Sequence, residues 1–353
     1  MNKKADLKDC NVLLVSHEMT YTGAPRSLLN IAKILKKSVR SIHVWTINDG
    51  IFKKEFEAEG IEVQRVPLQI EESEVSKYQI VILNTIFTAH LVKEMQQYTR
   101  TILYIREAMN IPFLVEMCKL SIDDLLDAKE IVCVSEYAEK FIKENYNPKR
   151  LSIIHNWVPD EYAGKLNIVR DGIIHFMISG TYERRKGYET VIDAFLMMPD
   201  ELKGKTRLHL VGPMPDWSKD YWEMLRNRYD ARIIEHGAIV NEEERIRLYK
   251  RMNVFIVASK DEACSLVALE GAMLGKVVLM SENTGAQYLD VKKKGIFKTN
   301  DIADLAWKMC QLTSRRELIL RGLEMRVSYM KTSTCRRFER DLLNYLSNAY
   351  HCM

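Results

Sequence analysis

The chain has 353 residues, 47% of them hydrophobic and 28% charged, the balance of a folded globular protein with room for two ordinary domains, and this excludes a disordered chain. Its 52 Lys and Arg stand against 48 Asp and Glu, and the resulting net charge of +4 is too small and too dispersed to argue for nucleic-acid binding. Seven cysteines, Cys10, Cys118, Cys133, Cys264, Cys310, Cys335 and Cys352, form no CxxC pair, so they fit neither a disulfide framework nor a zinc site and read as reduced thiols.

The opening residues, MNKKADLKDC, are charged and run straight into a strand, with neither the apolar stretch of a signal peptide nor the ~20 apolar residues of a spanning helix. The expectation is a cytoplasmic protein. From Asn11 the sequence alternates short β-branched runs with amphipathic runs of helical period. NVLLVS (Asn11 to Ser16) predicts a strand and SLLNIAKILKK (Ser27 to Lys37) a helix. Further strands are predicted at Ile42 to Thr46, Ile61 to Val66, Ile80 to Asn84, Thr101 to Ile105, Ile131 to Val134 and Leu151 to Ile154. Strands separated by helices need crossover connections, which favour a largely parallel sheet covered on both faces.

After VPDEYAGKLNIVRDG the pattern restarts, with a strand at Ile173 to Ser179 and a helix from Gly187 to Met198. Strands at Arg207 to Val211, Ala231 to Glu235, Val254 to Val257 and Val277 to Met280 follow. The predicted fold class is therefore α/β, two Rossmann-like doubly wound parallel-sheet domains facing across a cleft, with ligands at the carboxyl ends of the strands. We expect a first domain over 1–165, a second over 166–335, and a terminal helix over 336–353 packing near the hinge.

Three segments carry chemistry. In ASKDEACSLVALEGAMLGKVVLMS (Ala258 to Ser281) a strand ends at an acidic loop and a helix rich in small residues begins. The free amides around Cys264, Ser265, Leu266 and Val267 form a ready site for a diphosphate. Glu270, one to two turns into the helix, can accept hydrogen bonds from two ribose hydroxyls, and Glu262 lies nearer the place of the sugar. In SGTYERRKGYETVIDAF (Ser179 to Phe195) Gly180 lets the backbone turn after a strand. Lys186 can reach donor phosphates, with Arg184 or Arg185 as second cation. In HEMTYTGAPRSLLNIAKIL (His17 to Leu35) Gly23 and Ala24 before Pro25 put small residues at a helix start, where backbone can approach a ligand.

The first segment resembles the E-x7-E signature of the retaining family 4 glycosyltransferases, with EGAMLGKVVL in place of the usual EAMA-x-G-x-PVI. The second resembles that family's Gly, basic and Lys-Gly segment, although Thr181 stands where many relatives have Arg. LYIREAMN (Leu103 to Asn110) has Arg106 and Glu107 where relatives carry His and an acid. NTGAQYL (Asn283 to Leu289) resembles the Gly-Ala-x-Glu-Tyr loop, with Gln287 in place of the acid. IIHNWVPDE is like the turn into the second domain, with Asn156 as a turn residue.

The resemblance implies a GT-B fold and a retaining, metal-independent glycosyltransferase that needs no cofactor and takes a nucleotide-diphosphate-sugar, a UDP-sugar by default, as donor. It implies Glu262, Lys186 and Arg185 as the catalytic set. The donor would be held by Gly23, Ala24, Gly180, Arg184, Cys264, Ser265, Leu266, Val267, Glu270 and Gly285, and His17, Arg106 and Glu107 would face an acceptor or phosphate. The acceptor would be a glycan, or a lipid-linked or protein-linked hydroxyl. Lys33, Lys36 and Lys37 are compatible with a peripheral contact at the inner membrane surface, a solvated helix face being the commoner reason for such a pattern. Two other readings stay open, a nucleotide-sugar epimerase and a non-catalytic GT-B subunit that binds a glycan or a partner enzyme. The sequence carries no sign of the oligomeric state.

Overall fold

The computed structural model describes residues 7–146, 148–160, 164 and 168–351. The chain forms two compact units, one of Met1–Asn156 with Arg336–Met353 and one of Trp157–Cys335. The boundary expected at 165/166 lies outside the described residues, as do the first six residues.

The first unit is built on seven parallel strands, β1 (Asn11–Ser16), β2 (Ser41–Thr46), β3 (Val63–Arg65), β4 (Ile80–Asn84), β5 (Arg100–Ile105), β6 (Ile131–Cys133) and β7 (Leu151–Ile153). Their order is β3-β2-β1-β4-β5-β6-β7, so chain direction across the sheet reverses between β1 and β4. Val15 pairs with Trp45 on one side and with Leu83 on the other. β4 is buried at every position, which explains its unbroken apolar run: a strand covered on both faces has no solvent side to alternate toward.

The helix Gly23–Leu35 starts four residues before the predicted Ser27, because the Gly-Ala-Pro sequence supplies its first turn. It buries Leu28, Ile31, Ala32 and Leu35. Lys33 pairs with Glu59 at 2.8 Å, and Lys36 donates to the Glu59 carbonyl, so its basic side is engaged within the unit. The terminal helix Cys335–His351 falls almost wholly in the first unit, where it buries Phe338, Leu342, Leu346 and Ala349 at helical spacing. Its Tyr345 hydroxyl donates to the Glu130 carboxylate at 3.1 Å.

The second unit repeats the plan with β8 (Ile174–Ser179), β9 (Thr206–Val211), β10 (Ile233–Gly237), β11 (Val254–Val257), β12 (Val277–Ser281) and β13 (Ile296–Phe297). The parallel order is β10-β9-β8-β11-β12-β13, with the reversal between β8 and β11. β13 has no counterpart among the predicted strands, since two residues are too few to show a period. The core of this unit holds an aromatic cluster: Tyr182 stacks on Trp222 with ring centroids 3.6 Å apart, and Tyr188 meets the same indole edge-on. Pairs of this kind add about 0.5–1.5 kcal/mol each beyond the area they bury. Among the described residues no helix is long and apolar enough to cross a membrane.

Candidate active site

In a doubly wound sheet the loops after the strands flanking the reversal splay apart and leave room for a ligand. In the second unit these are the loops after β8 and β11, and they bring three of the predicted residues together. Lys186 and Arg185 belong to a 3-10 turn, Arg184–Lys186, after β8. Glu262 lies in the loop after β11. The Lys186 ammonium donates to Glu262 Oε2, Ser259 Oγ donates to the same oxygen at 3.2 Å, and Arg185 Nη1 stands 3.6 Å from it. Arg185 also donates to the Asp261 carbonyl at 3.0 Å and to Glu183 at 2.8 Å. Burial pushes the Glu262 carboxyl up, but Lys186 and Arg185 outweigh it and hold the group below the usual carboxylate range. Arg184 takes no part in this cluster: its guanidinium lies over the Tyr221 ring, 4.7 Å from the centroid.

Backbone geometry explains why the cluster forms. Gly187 has φ +71°, and a Cβ there would meet the Ala258 carbonyl oxygen at 2.2 Å, so the turn carrying Lys186 lies directly against the end of β11. Gly212, which the sequence reading did not single out, does the same after β9: a Cβ would meet the Gly180 carbonyl oxygen at 1.7 Å. Gly180 in turn accepts the Tyr188 hydroxyl at 2.7 Å. The Gly285 amide donates to the Glu262 carbonyl at 2.7 Å and the Glu262 amide to the Asn283 carbonyl at 3.0 Å. Gly285 was expected to present its backbone to a ligand. Its amide holds the Glu262 loop.

The helix Leu266–Met273 follows, capped by Ser265, whose Oγ accepts the Ala268 amide at 3.3 Å. Leu266 and Val267 open the helix, where geometry provides no preceding carbonyl for their amides; Cys264 and Ser265 are buried beside them. Glu270 is 6% exposed and bonds to the Arg245 guanidinium from the helix Glu242–Lys250. Arg245 also reaches Glu242 at 3.2 Å and lies over the Tyr249 ring, and the Tyr249 hydroxyl meets Ser179 Oγ at 2.7 Å. Sequence reasoning missed Arg245. The available signal was chemical: a carboxylate placed inside a helix of small apolar residues needs a cation from elsewhere.

The first unit has its own cluster at the carboxyl ends of β1, β4 and β5. His17, one residue past β1, shares a hydrogen bond between Nδ1 and Thr85 Oγ1 at 3.0 Å, and its Nε2 stands 3.5 Å from Glu18. The hydrogen bond from His17, joined by those from Thr22 and Thr20, outweighs burial and draws the Glu18 carboxyl down to about 2. Thr85, just past β4, has φ +81°, a strained position for a threonine that no local pattern of residues announces. Arg106 donates to Asn84 Oδ1 at 2.6 Å and to Asn156 Oδ1 at 2.9 Å. Asn156, expected only as a turn residue, is thus a buried acceptor that fixes a guanidinium. Glu107 accepts the amides of Ile86 and Arg106, and burial pushes its carboxyl up. Gly23 and Ala24 open their helix as expected, and the Ala24 carbonyl accepts Asn84 Nδ2 at 3.3 Å. Among the described residues no group of three or more His, Cys, Asp or Glu is arranged to hold a metal ion.

Residues 173–315 match the family model described as glycosyl transferases group 1, and residues 8–113 match that of glycosyl-transferase family 4. The sequence matches no curated protein. Among solved structures it is similar to HepE of Anabaena in complex with UDP and glucose, with 15% identity over 96% of this chain and 99% of that one and a TM-score of 0.79. It is also similar to a glycosyltransferase from Rickettsia africae, with 17% identity over 97% and 98% of the two chains and a TM-score of 0.77. A third is sucrose-phosphate synthase from Thermosynechococcus elongatus, with 15% identity over 98% and 100% and a TM-score of 0.78. At these identities the likeness to solved structures shows the fold, which is GT-B. A family 4 model thus covers most of the first unit and a group 1 model most of the second, so each unit resembles a glycosyltransferase domain.

Proposed function

We propose that the protein is a retaining, metal-independent transferase that moves a sugar from a nucleotide-diphosphate-sugar, a UDP-sugar first, to a hydroxyl of a glycan, lipid-linked or protein-linked acceptor at the cytoplasmic side of a cell. The observation that carries this is the convergence of Lys186, Arg185 and Glu262 after β8 and β11, next to the N-terminus of the helix Leu266–Met273. HepE of Anabaena, similar in fold, is described in complex with UDP-glucose, which supports a uridine donor here.

In this reading Lys186 and Arg185, with the first amides of the helix, neutralise the departing diphosphate. That is preorganised electrostatic stabilisation, in place before charge develops. Glu262 aligns the sugar or the acceptor and keeps the two cations in position before the donor arrives. Glu270 accepts the ribose hydroxyls, oriented by Arg245. The acceptor hydroxyl attacks on the face from which the diphosphate leaves, its oxygen bonds to the anomeric carbon, and its proton passes to the departing phosphate oxygen. His17 and Arg106 are the acceptor-side candidates, and Gly23 and Ala24 let the backbone come close to the ligand.

The test is product stereochemistry. The full chain is incubated with UDP-glucose and an alkyl alcohol or oligosaccharide acceptor, with and without a chelator, and the anomeric proton of the product is followed by NMR. An axial product at an unchanged rate in chelator is expected. An equatorial product, or activity abolished by chelator and restored by a divalent ion, overturns the mechanism.

A further inference from the structure

At the opposite end of the second unit's sheet, where the strands begin, lies a cavity of about 240 Å³. Residues at or just before the starts of β8, β9, β11 and β12 line it, among them Ile174, Lys205, Asn253 and Lys276. The donor site proposed above uses the other ends of the same strands, so the cavity has no part in it.

Its chemistry is one-signed. Arg170, Lys205, Lys276 and Arg315 line it, and among the described residues no carboxylate does. Cations gathered around a concave site without a carboxylate raise the local potential, and low-dielectric walls focus it. Arg170, Lys205 and Arg315 are exposed, whereas Lys276 is 4% exposed and donates to the Lys250 carbonyl at 2.8 Å. Burial pushes the Lys276 ammonium down to about 8, so an anion beside it would relieve an existing desolvation cost. The 18-residue helix Arg315–Thr332 also begins at the cavity and adds the positive end of its dipole. Asn253 and Thr313 add neutral polar groups, and an apolar part of the wall is formed by Ile173, Ile174, Leu318 and Ile319.

We infer that this cavity binds a small amphiphilic anion, a phosphomonoester head held by Arg170, Lys205, Lys276 and Arg315 on a short apolar stem that rests on Ile174, Leu318 and Ile319. The volume lies just under the roughly 300–1,000 Å³ of ligand pockets in general, which suits such a molecule and is too small for a nucleotide sugar. The head and stem belong equally to a free phosphorylated metabolite or to a lipid headgroup with the start of its chain. The inference stands apart from the donor-site reading, because different residues carry it.

The experiment is calorimetric titration of the full chain with hexyl phosphate, inorganic phosphate and hexanol, repeated on Arg170→Gln/Arg315→Gln, whose replaced side chains are on the surface. Saturable binding of hexyl phosphate is expected, about tenfold or more tighter than either half-molecule and about tenfold or more weaker in the double variant. UDP binding in the same double variant, compared with wild type, reports on the donor site separately. Equal affinity for hexyl phosphate and inorganic phosphate, or an unchanged affinity in the double variant, overturns the inference. Lys205→Gln, singly substituted and also on the surface, should weaken binding by a smaller factor, and its failure to do so counts against the assignment. Co-sedimentation with phosphatidic acid vesicles that is lost in the double variant supports the site and names a lipid source. Hexyl phosphate binding without co-sedimentation supports it and names a soluble one.

Discussion

Removing Arg245 tests how the buried Glu270 carboxylate is held. In Arg245→Met the Glu270 carboxylate, whose side chain is 8% exposed, loses the guanidinium bound to it, while the apolar stem of residue 245 is largely kept. Breaking a buried pair from one side costs about 3–5 kcal/mol, because the remaining charge stays desolvated without compensation. The second contact of Arg245, to the 41%-exposed Glu242, adds little. For a unit of this size the loss corresponds to a fall in melting temperature of roughly 6–20 °C. Differential scanning calorimetry of wild type, Arg245→Met, Glu270→Gln and the double variant forms a cycle, and the double variant should lose less than the sum of the singles. A cost below about 1 kcal/mol for Arg245→Met, or strict additivity, would show that the pair is not the buried contact described here.

Lys186→Met and Glu262→Gln should each lower the transfer rate by about 10²–10³, the usual effect of deleting one preorganised charge or donor, with the fold retained by circular dichroism. Gly187→Ala should cost roughly 1–3 kcal/mol, since it combines a left-handed backbone with a clash against the Ala258 carbonyl, whereas Gly204→Ala, with open space around it, should be nearly neutral. Urea titrations of the two variants decide, and equal effects would refute the close approach. Glu18 gives a pH signature. Its folded value is drawn from 4.5 to about 2, so its stabilisation is complete above the unfolded value and is lost as pH falls toward 2. Wild type should therefore exceed Glu18→Gln in stability at neutral pH, with the gap closing between about pH 4.5 and 2. A gap independent of pH would contradict the assignment.

The sheets were readable because both are covered on both faces. Apolar runs such as NVLLVS and Ile80 to Asn84 stand out between helical periods, and β1 and β4 match them residue for residue. Strand ends blurred where pairing, not composition, sets them. β10 runs from Ile233 to Gly237 rather than from Ala231 to Glu235, because its partners on β9 begin at Leu208. Within the site, Lys186 and Glu262 were legible from their loops, and the structure brings them together across 76 positions. What could not be read was the partner of each polar group: Arg245 for Glu270, Asn84 and Asn156 for Arg106, Gly212 for the backbone of Gly180. Local spacing carries no record of such long-range contacts. The directions of Arg184 and Arg185 were equally unreadable: one guanidinium stacks on Tyr221 and the other turns toward Glu262.

The most direct test of the donor site is calorimetric titration of wild type, Lys186→Met and Glu270→Gln with UDP, GDP, ADP and dTDP. The account predicts selective binding of one diphosphate, UDP first, weakened about tenfold or more in both variants. Binding of no diphosphate by the wild type, or binding that both variants retain in full, would contradict it.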